Sequence, residues 1–365
     1  MASQQQINIE LKGSSKRGRQ ANRFLASFLL ASAMVFQGLT HVVFAGHAMG
    51  GEVVYEYLGD GNFEISLVFY RECYENGESG NNLDQSIQLG IFEGNNPYNV
   101  YTVNLDQSST DPLDTVLENP CGNLPDELCL QRLEYSIVVF LPPSAIGYDL
   151  VFQRCCRNPG ISNLPNPGEV GITLTTQIPP FVDDSNPNSS PIFNAYPPEA
   201  ICANFDFFLD QGATDIDGDS LSYALCTPLN GASADNPAPQ PLPASTFNDI
   251  PWSPGFGAMD PIPSAPPFEI DAATGAITGF PTAPGAYVIG ICVSEYRDGE
   301  LLSTVMRDFQ LNVVMCDPTI ISAAQPQSTD QYCIGETIEF FENSIGAQEL
   351  LWDFGVDGID TDISF

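Results

Sequence analysis

The chain has 365 residues, 46 acidic against 11 basic, for a formal net charge of −35. Beyond Arg23 it holds six arginines, 45 acids and no lysine. No basic patch exists to neutralise phosphate, which excludes nucleic acid and anionic membrane surfaces as partners.

With 43% hydrophobic residues the chain can bury real cores. Its 31 Gly and 30 Pro, spread between short apolar runs, predict an all-β protein of two or three domains. Residues 1–45 read as a secretory signal. A basic region through Arg23 precedes the apolar run Phe24–Phe36, too short to span a bilayer comfortably, and Val43-Phe44-Ala45 offers small residues for cleavage. No later segment is long and apolar enough to span a membrane, so the expected location is secreted, at the cell surface.

The first unit, 46–184, opens with two strands around Gly59-Asp60-Gly61. Val53, Tyr55 and Tyr57, then Phe63, Ile65, Leu67 and Phe69, alternate at period two. Further strands are expected at Ser86–Phe92, Val100–Leu105, Tyr135–Leu141, from Gly147 onward, and at Gly171–Ile178, with no helical period between them. That pattern predicts a sandwich. Pro179–Pro198, rich in Pro, Asn, Ser and Asp, reads as a linker.

The second unit, 185–316, has expected strands at Asn204–Leu209, Ser220–Cys226, Phe268–Asp271, Gly285–Glu295 and Met306–Val314. A long Pro/Ala/Ser loop, Pro228–Pro267, interrupts it. The third unit, 317–365, has strands near Thr337–Glu342 and Glu349–Phe354. It stops too soon to bury a core alone, so it is expected to be incomplete.

All ten cysteines follow the signal, without CxxC or Cys/His zinc spacing, so disulfides in an oxidising compartment are expected. Neighbours in a strand face opposite sides, so Cys155 and Cys156 are expected to take separate partners. Cys121–Cys129 and Cys226–Cys292 are the expected pairings.

"ATDIDGDSLSY" (213–223), followed by "FEIDAATGAITGFP" (268–281) and "GAYVIGICVS" (285–294), resembles cadherin-like and dystroglycan-type immunoglobulin-like modules. The resemblance covers about residues 190–315 and implies tandem immunoglobulin-like β-sandwich domains, the last one incomplete. "LLWDFGVDGID" (350–360) resembles the W-D-F-G-D-G signature of PKD domains, with Val356 inserted. The segments from His47 to Cys73, "QRCCRN" (153–158) and "VSEYRDGELLSTVMRDFQLNVV" (293–314) together resemble secreted multi-domain surface proteins of gliding Bacteroidota-type bacteria. Those proteins typically end in a type IX sorting or gliding-motility-associated domain, of which this sequence shows none.

Asp215, Asp217 and Asp219 alternate with other residues. An EF-hand loop starting at Asp215 would need Gly at its sixth position and Glu at its twelfth, where Ser220 and Cys226 stand. The cadherin-like resemblance instead implies calcium, with Asp215 and Asp217 as ligands and Asp219 joining them or capping the turn. Calcium takes six to eight oxygens, so remote donors are required, and Asp271, Glu295 and Asp298 are the candidates. The L-D-R-E and D-x-N-D-N motifs of cadherin calcium sites are both missing. The alternative is a tight turn whose aspartates cap backbone groups and face water. Asp357, Asp360 and Asp362 form a second acidic run.

Catalysis is not expected, although glycoside hydrolysis needs only two carboxylates and 45 acids leave it open by composition, with no one pair marked out. His41 lies in the signal and His47 at the mature N-terminus, which removes Ser-His-Asp, Cys-His and His-rich zinc chemistry. The absence of mature lysine removes Schiff-base and P-loop chemistry. Arg154 and Arg157, flanking the cysteine pair, are either a recognition patch for a carboxylate or sulfated glycan or structural partners of nearby acids. "EYRDGE" (295–300) reads as a hairpin turn, and Arg307-Asp308 as an ion pair or cross-strand contact. The sequence thus predicts a secreted, disulfide-stabilised structural or adhesion protein, binding an extracellular polymer, glycan or surface protein. The alternative is a carbohydrate- or polymer-binding region of a secreted hydrolase, which exposed aromatics around Trp252 and Phe256 would favour.

Overall fold

In the computed structural model the described residues are 48–72, 85–94, 96–104, 111–112, 130–183, 186–239 and 247–316, with four short strand segments between 324 and 364. β1 (Ala48–Gly59), β2 (Asn62–Glu72), β3 (Ser86–Glu93) and β4 (Asn96–Asn104) come first. β5 (Asp111–Pro112), β6 (Leu130–Phe140), β7 (Tyr148–Arg154) and β8 (Ile172–Ile178) follow. Then come β9 (Ile192–Phe193), β10 (Ala200–Cys202), β11 (Phe207–Asp210), β12 (Ala213–Thr214) and β13 (Ser220–Leu225). β14 (Leu229–Asn230) and β15 (Asn248–Asp249) lie within the long loop, and β16 (Glu269–Ile270), β17 (Ala276–Gly279), β18 (Gly285–Arg297) and β19 (Glu300–Val314) complete the body. In the predicted third unit, β20 (Ala324–Pro326) pairs β21 (Phe340–Glu342) and β22 (Trp352–Asp353) pairs β23 (Ile363–Ser364). The second acidic run, Asp357, Asp360 and Asp362, lies outside the described residues.

The all-β sandwich class expected from the sequence is the class observed. β1 and β2 form the expected hairpin, with Tyr55 opposite Ile65 and Tyr57 opposite Phe63. Asp60 and Gly61 at its tip sit at φ 54° and 74°, as a two-residue turn that matches strand twist requires. Val53, Tyr55, Phe63, Ile65 and Leu67 point inward and are almost fully buried. They meet Leu89, Ile91, Leu150, Ile172 and Leu174 from the facing sheet, in strand order β15-β14-β8-β7-β3-β4. Each such side chain contributes about 1.5–3 kcal/mol on burial.

A second core lies between β13-β18-β19 and the small sheet β11-β17-β16, around Ile277, Ile289, Ile291, Val305 and Leu311. The two units do not keep separate sheets. β1 pairs β19 at Gly50–Phe309 and Gly51–Asp308, so one eight-stranded sheet runs across the expected boundary at 184/185. A Cβ on Gly50, at φ 147°, would collide with the Asp308 carbonyl, so glycine is what lets the strands approach.

Two buried ion pairs flank this seam. Arg157 donates from Nη1 and Nη2 to both carboxylate oxygens of Asp308 at 2.9 and 2.5 Å. Arg307 donates from Nη2 and Nε to both oxygens of Glu52 at 2.6 and 3.1 Å, and its guanidinium lies 3.8 Å over the Phe193 ring. Arg307 and Asp308 therefore pair with separate partners, on opposite faces of β19. The structural reading of Arg157 is the one observed.

The expected linker is a strap laid on the sheet. Ser190 donates its backbone N–H to Tyr55 O and accepts at Oγ from Tyr55 N–H, while Ser189 Oγ accepts from Tyr57 N–H. The long loop is tied down as well: Cys155 N–H donates to Pro237 O, and Ile250 and Trp252 pack on Ile161, Leu164, Val170 and Val288. Trp252 is half-buried there, and Phe256 packs against Tyr287 at a ring separation of 6.2 Å. Neither stands as an exposed platform.

Cys226–Cys292 is bonded as expected, and Cys202–Cys316 ties β10 to the end of β19. Cys155 and Cys156 are bonded to each other, correcting the expectation of separate partners. The pair lies past Arg154, where β7 ends, so the alternation of a strand no longer governs it. Cys121 and Cys129 lie outside the described residues.

Candidate functional site

The Asp215–Asp219 turn links β12 to β13, with Gly218 at φ 84°. Ligand atoms of Asp215, Asp217 and Asp219 all lie within 4.8 Å of one another. Each aspartate has its own task. Asp215 Oδ1 accepts from Asp219 N–H at 2.9 Å, closing the turn. Asp217 Oδ2 accepts from Ser189 N–H at 2.6 Å, pinning the strap. Both oxygens of Asp219 accept from Arg297, at 2.8 Å from Nε and 2.6 Å from Nη2.

Arg297 is the centre of this cluster. Beyond Asp219 it donates to Asn186 Oδ1, Pro187 O and Asn188 Oδ1, at 2.8, 3.0 and 3.0 Å. All five guanidinium N–H groups are thereby matched. The hydrogen bond to Asp219 raises the arginine pKa further. Asp217 stands 3.9 Å from the same nitrogen.

Glu295, two residues earlier on β18, faces the same way and is fully buried. Its Oε1 accepts from Asn188 Nδ2 at 2.7 Å and Ser303 Oγ at 2.6 Å. Its Oε2 and Asp215 Oδ2 are both buried without a hydrogen-bond partner. The two carboxyl groups interact directly. Burial, with the neighbouring Asp215 adding to it, raises the Glu295 pKa to about 7. Asn188 also donates to the Tyr55 hydroxyl at 2.9 Å, whose pKa is held up by burial and then by Glu295.

Asp271 and Asp298 are not part of the cluster among the described residues. Asp271 Oδ1 accepts from Ala273 and Thr274 N–H, capping its own exposed turn, and those bonds lower its pKa. Asp298, at φ 54°, is exposed at the tip of the β18–β19 hairpin. Of the remote donors expected from the sequence, Glu295 alone is brought to the turn.

Four carboxylates and one arginine leave three negative charges in a partly buried place. Two interacting carboxyl groups, each with a buried oxygen lacking a partner, call for a shared proton or a cation, since an unmatched buried carboxylate oxygen is costly. All-oxygen donors of this kind suit a hard divalent cation such as calcium. The three aspartates are the residues whose ligand atoms could share an ion, although Asp219 is held by Arg297; Glu295 adjoins Asp215 and lies outside that group. Comparison with protein-family models, curated proteins and solved structures finds no match for this chain.

The sequence reading missed Arg297, Asn188 and Ser189. A signal for the first was present in the spacing of "EYRDGE", which puts Glu295 and Arg297 on one strand face; the pairing of Ser220 with Tyr296 then brings both to the end of the acidic turn.

Proposed function

We propose that the chain is a non-catalytic, secreted cell-surface protein of β-sandwich modules, in which calcium between Asp215 and Glu295 locks the strap to the sheet. The observation that carries this reading is the pair of buried, unpartnered oxygens, Asp215 Oδ2 and Glu295 Oε2. Calcium, when bound, supplies the positive charge that these oxygens lack. The chain's own residues do the rest. Asp217 holds Ser189, Glu295 holds Asn188, and Arg297 holds residues 186–188, so the strap is fixed to β1 and β18 together. A strap fixed at both strands stiffens the junction of the two cores, as suits a module that presents a binding surface away from the cell. Three disulfides among the described residues fit an oxidising compartment. Among the described residues no helix is long and apolar enough to cross a membrane.

Thermal melting in millimolar calcium and in chelator tests the reading. The midpoint is expected to rise by about 5 °C or more with calcium, as a ligand well above its Kd produces. Asp215→Asn should abolish that rise, and an unchanged wild-type midpoint would sink the calcium claim.

A further inference from the structure

The outer face of the large sheet carries a cleft of about 470 Å³, within the size range of small-molecule sites. Its floor is set by register: Val68 lies opposite Glu134 and Ser66 opposite Ser136, with Glu64 next along β2. Period-two alternation turns these five side chains outward, away from the first core. Ile192, Phe193 and Tyr196 form one wall. Tyr196 is 43% exposed, and the Arg132 guanidinium lies 4.3 Å over its ring and 3.4 Å from Glu134. At the inner end, Arg307 and Glu52 reach the same cleft, locked by the bidentate pair and by Arg307 donating to Ala195 O and Gln211 Oε1.

We propose that this cleft binds a neutral saccharide segment. The inference names the partner for the adhesive reading above and rests on that reading, but not on the cation. The Arg132–Glu134 pair sets a donor beside an acceptor, the pattern that adjacent sugar hydroxyls match, while the buried Arg307–Glu52 pair closes the inner end. Ser66 and Ser136 add hydroxyls to the floor, and Glu64 is a half-buried acceptor with no ion pair among the described residues. The Tyr196 ring and Ile192 offer apolar surface to the C–H face of a sugar. Glu64 and Glu134 disfavour anions, and the Arg132 guanidinium disfavours cations. Because Arg307, Glu52 and Phe193 are already fixed by packing, little side-chain freedom is lost on binding.

The test is binding of the full chain to immobilised neutral hexose, N-acetylhexosamine and uronic-acid tetrasaccharides, with calorimetry on any that bind. A neutral glycan is expected to bind, about tenfold or more weakly to Glu64→Gln, which removes one charged acceptor. Ser136→Trp, at an exposed position, should block the cleft and abolish binding, with the melting point and its calcium response unchanged in both variants. No binding across the panel, or full binding by Ser136→Trp, overturns the proposal. Cleavage of a bound glycan would support the cleft and overturn the non-catalytic reading; a failed calcium response with intact binding would leave the cleft standing.

Discussion

Two clusters of buried charge lie on strands β18 and β19, and they are built on opposite principles. At the seam, Arg157 meets Asp308 and Arg307 meets Glu52, one cation to one anion, with each carboxylate gripped at both oxygens. At the strap, Asp215, Asp217 and Asp219 cluster beside Arg297, Glu295 interacts with Asp215, and one buried oxygen of each of these last two has no hydrogen-bond partner. The matched cluster is complete and has one thing to do, which is to hold β1 against β19. The unmatched cluster is the one expected to change with solution conditions, because a proton or a cation would complete it. Buried charge alone therefore says little; the count of partners separates scaffold from responsive site.

The largest effect expected tests the matched side. Asp308→Asn leaves Arg157 buried without its anion and should cost about 3–5 kcal/mol in urea unfolding, whereas Arg157→Met with Asp308→Leu should cost far less. A loss below about 1 kcal/mol for the single variant would break the comparison.

Next comes pH on the unmatched side. The folded pKa of Glu295, about 7, lies above its ordinary 4.5. Between those values the folded state binds more protons than the unfolded one, so stability in chelator should fall as pH rises from 4.5 to about 7, then level off. The full shift corresponds to roughly 3 kcal/mol. Glu295→Gln should flatten that slope, as read from urea midpoints across the range; a rise in wild-type stability over the same interval would contradict the assignment. The smallest effect concerns the aspartates outside the cluster: Asp271→Ala and Asp298→Ala should leave the calcium response of the melting point unchanged.

Local pattern made much of this legible. The β1–β2 hairpin follows from alternation around Asp60-Gly61, and Cys226–Cys292 from two strands that indeed lie side by side. The acidic turn was visible, and so was Glu295 as a distant group that could reach it. What failed was nonlocal. The composition of 179–198 describes a linker equally well, because Asn and Ser do not declare which distant groups they will bond. Alternation was applied to Cys155-Cys156 one residue past the strand that would have enforced it. The shared sheet was hidden because a two-unit reading pairs each strand within its own unit, and nothing near Gly50 names Phe309.

That Gly50–Phe309 pairing has a consequence for how the protein is made. Glu52 waits for Arg307, 255 positions away, and until that arginine arrives its carboxylate has no cation at the seam. A chain emerging N-terminus first can assemble the β1–β2–β6 layer early, but that layer keeps an open edge at β1. Pairings this distant in sequence are slow to close and leave edges prone to wrong partners while they remain open. β19 is therefore a closing strand for the shared sheet, and a chain released before it would carry β1 with its edge at Gly50 and Gly51 unpaired.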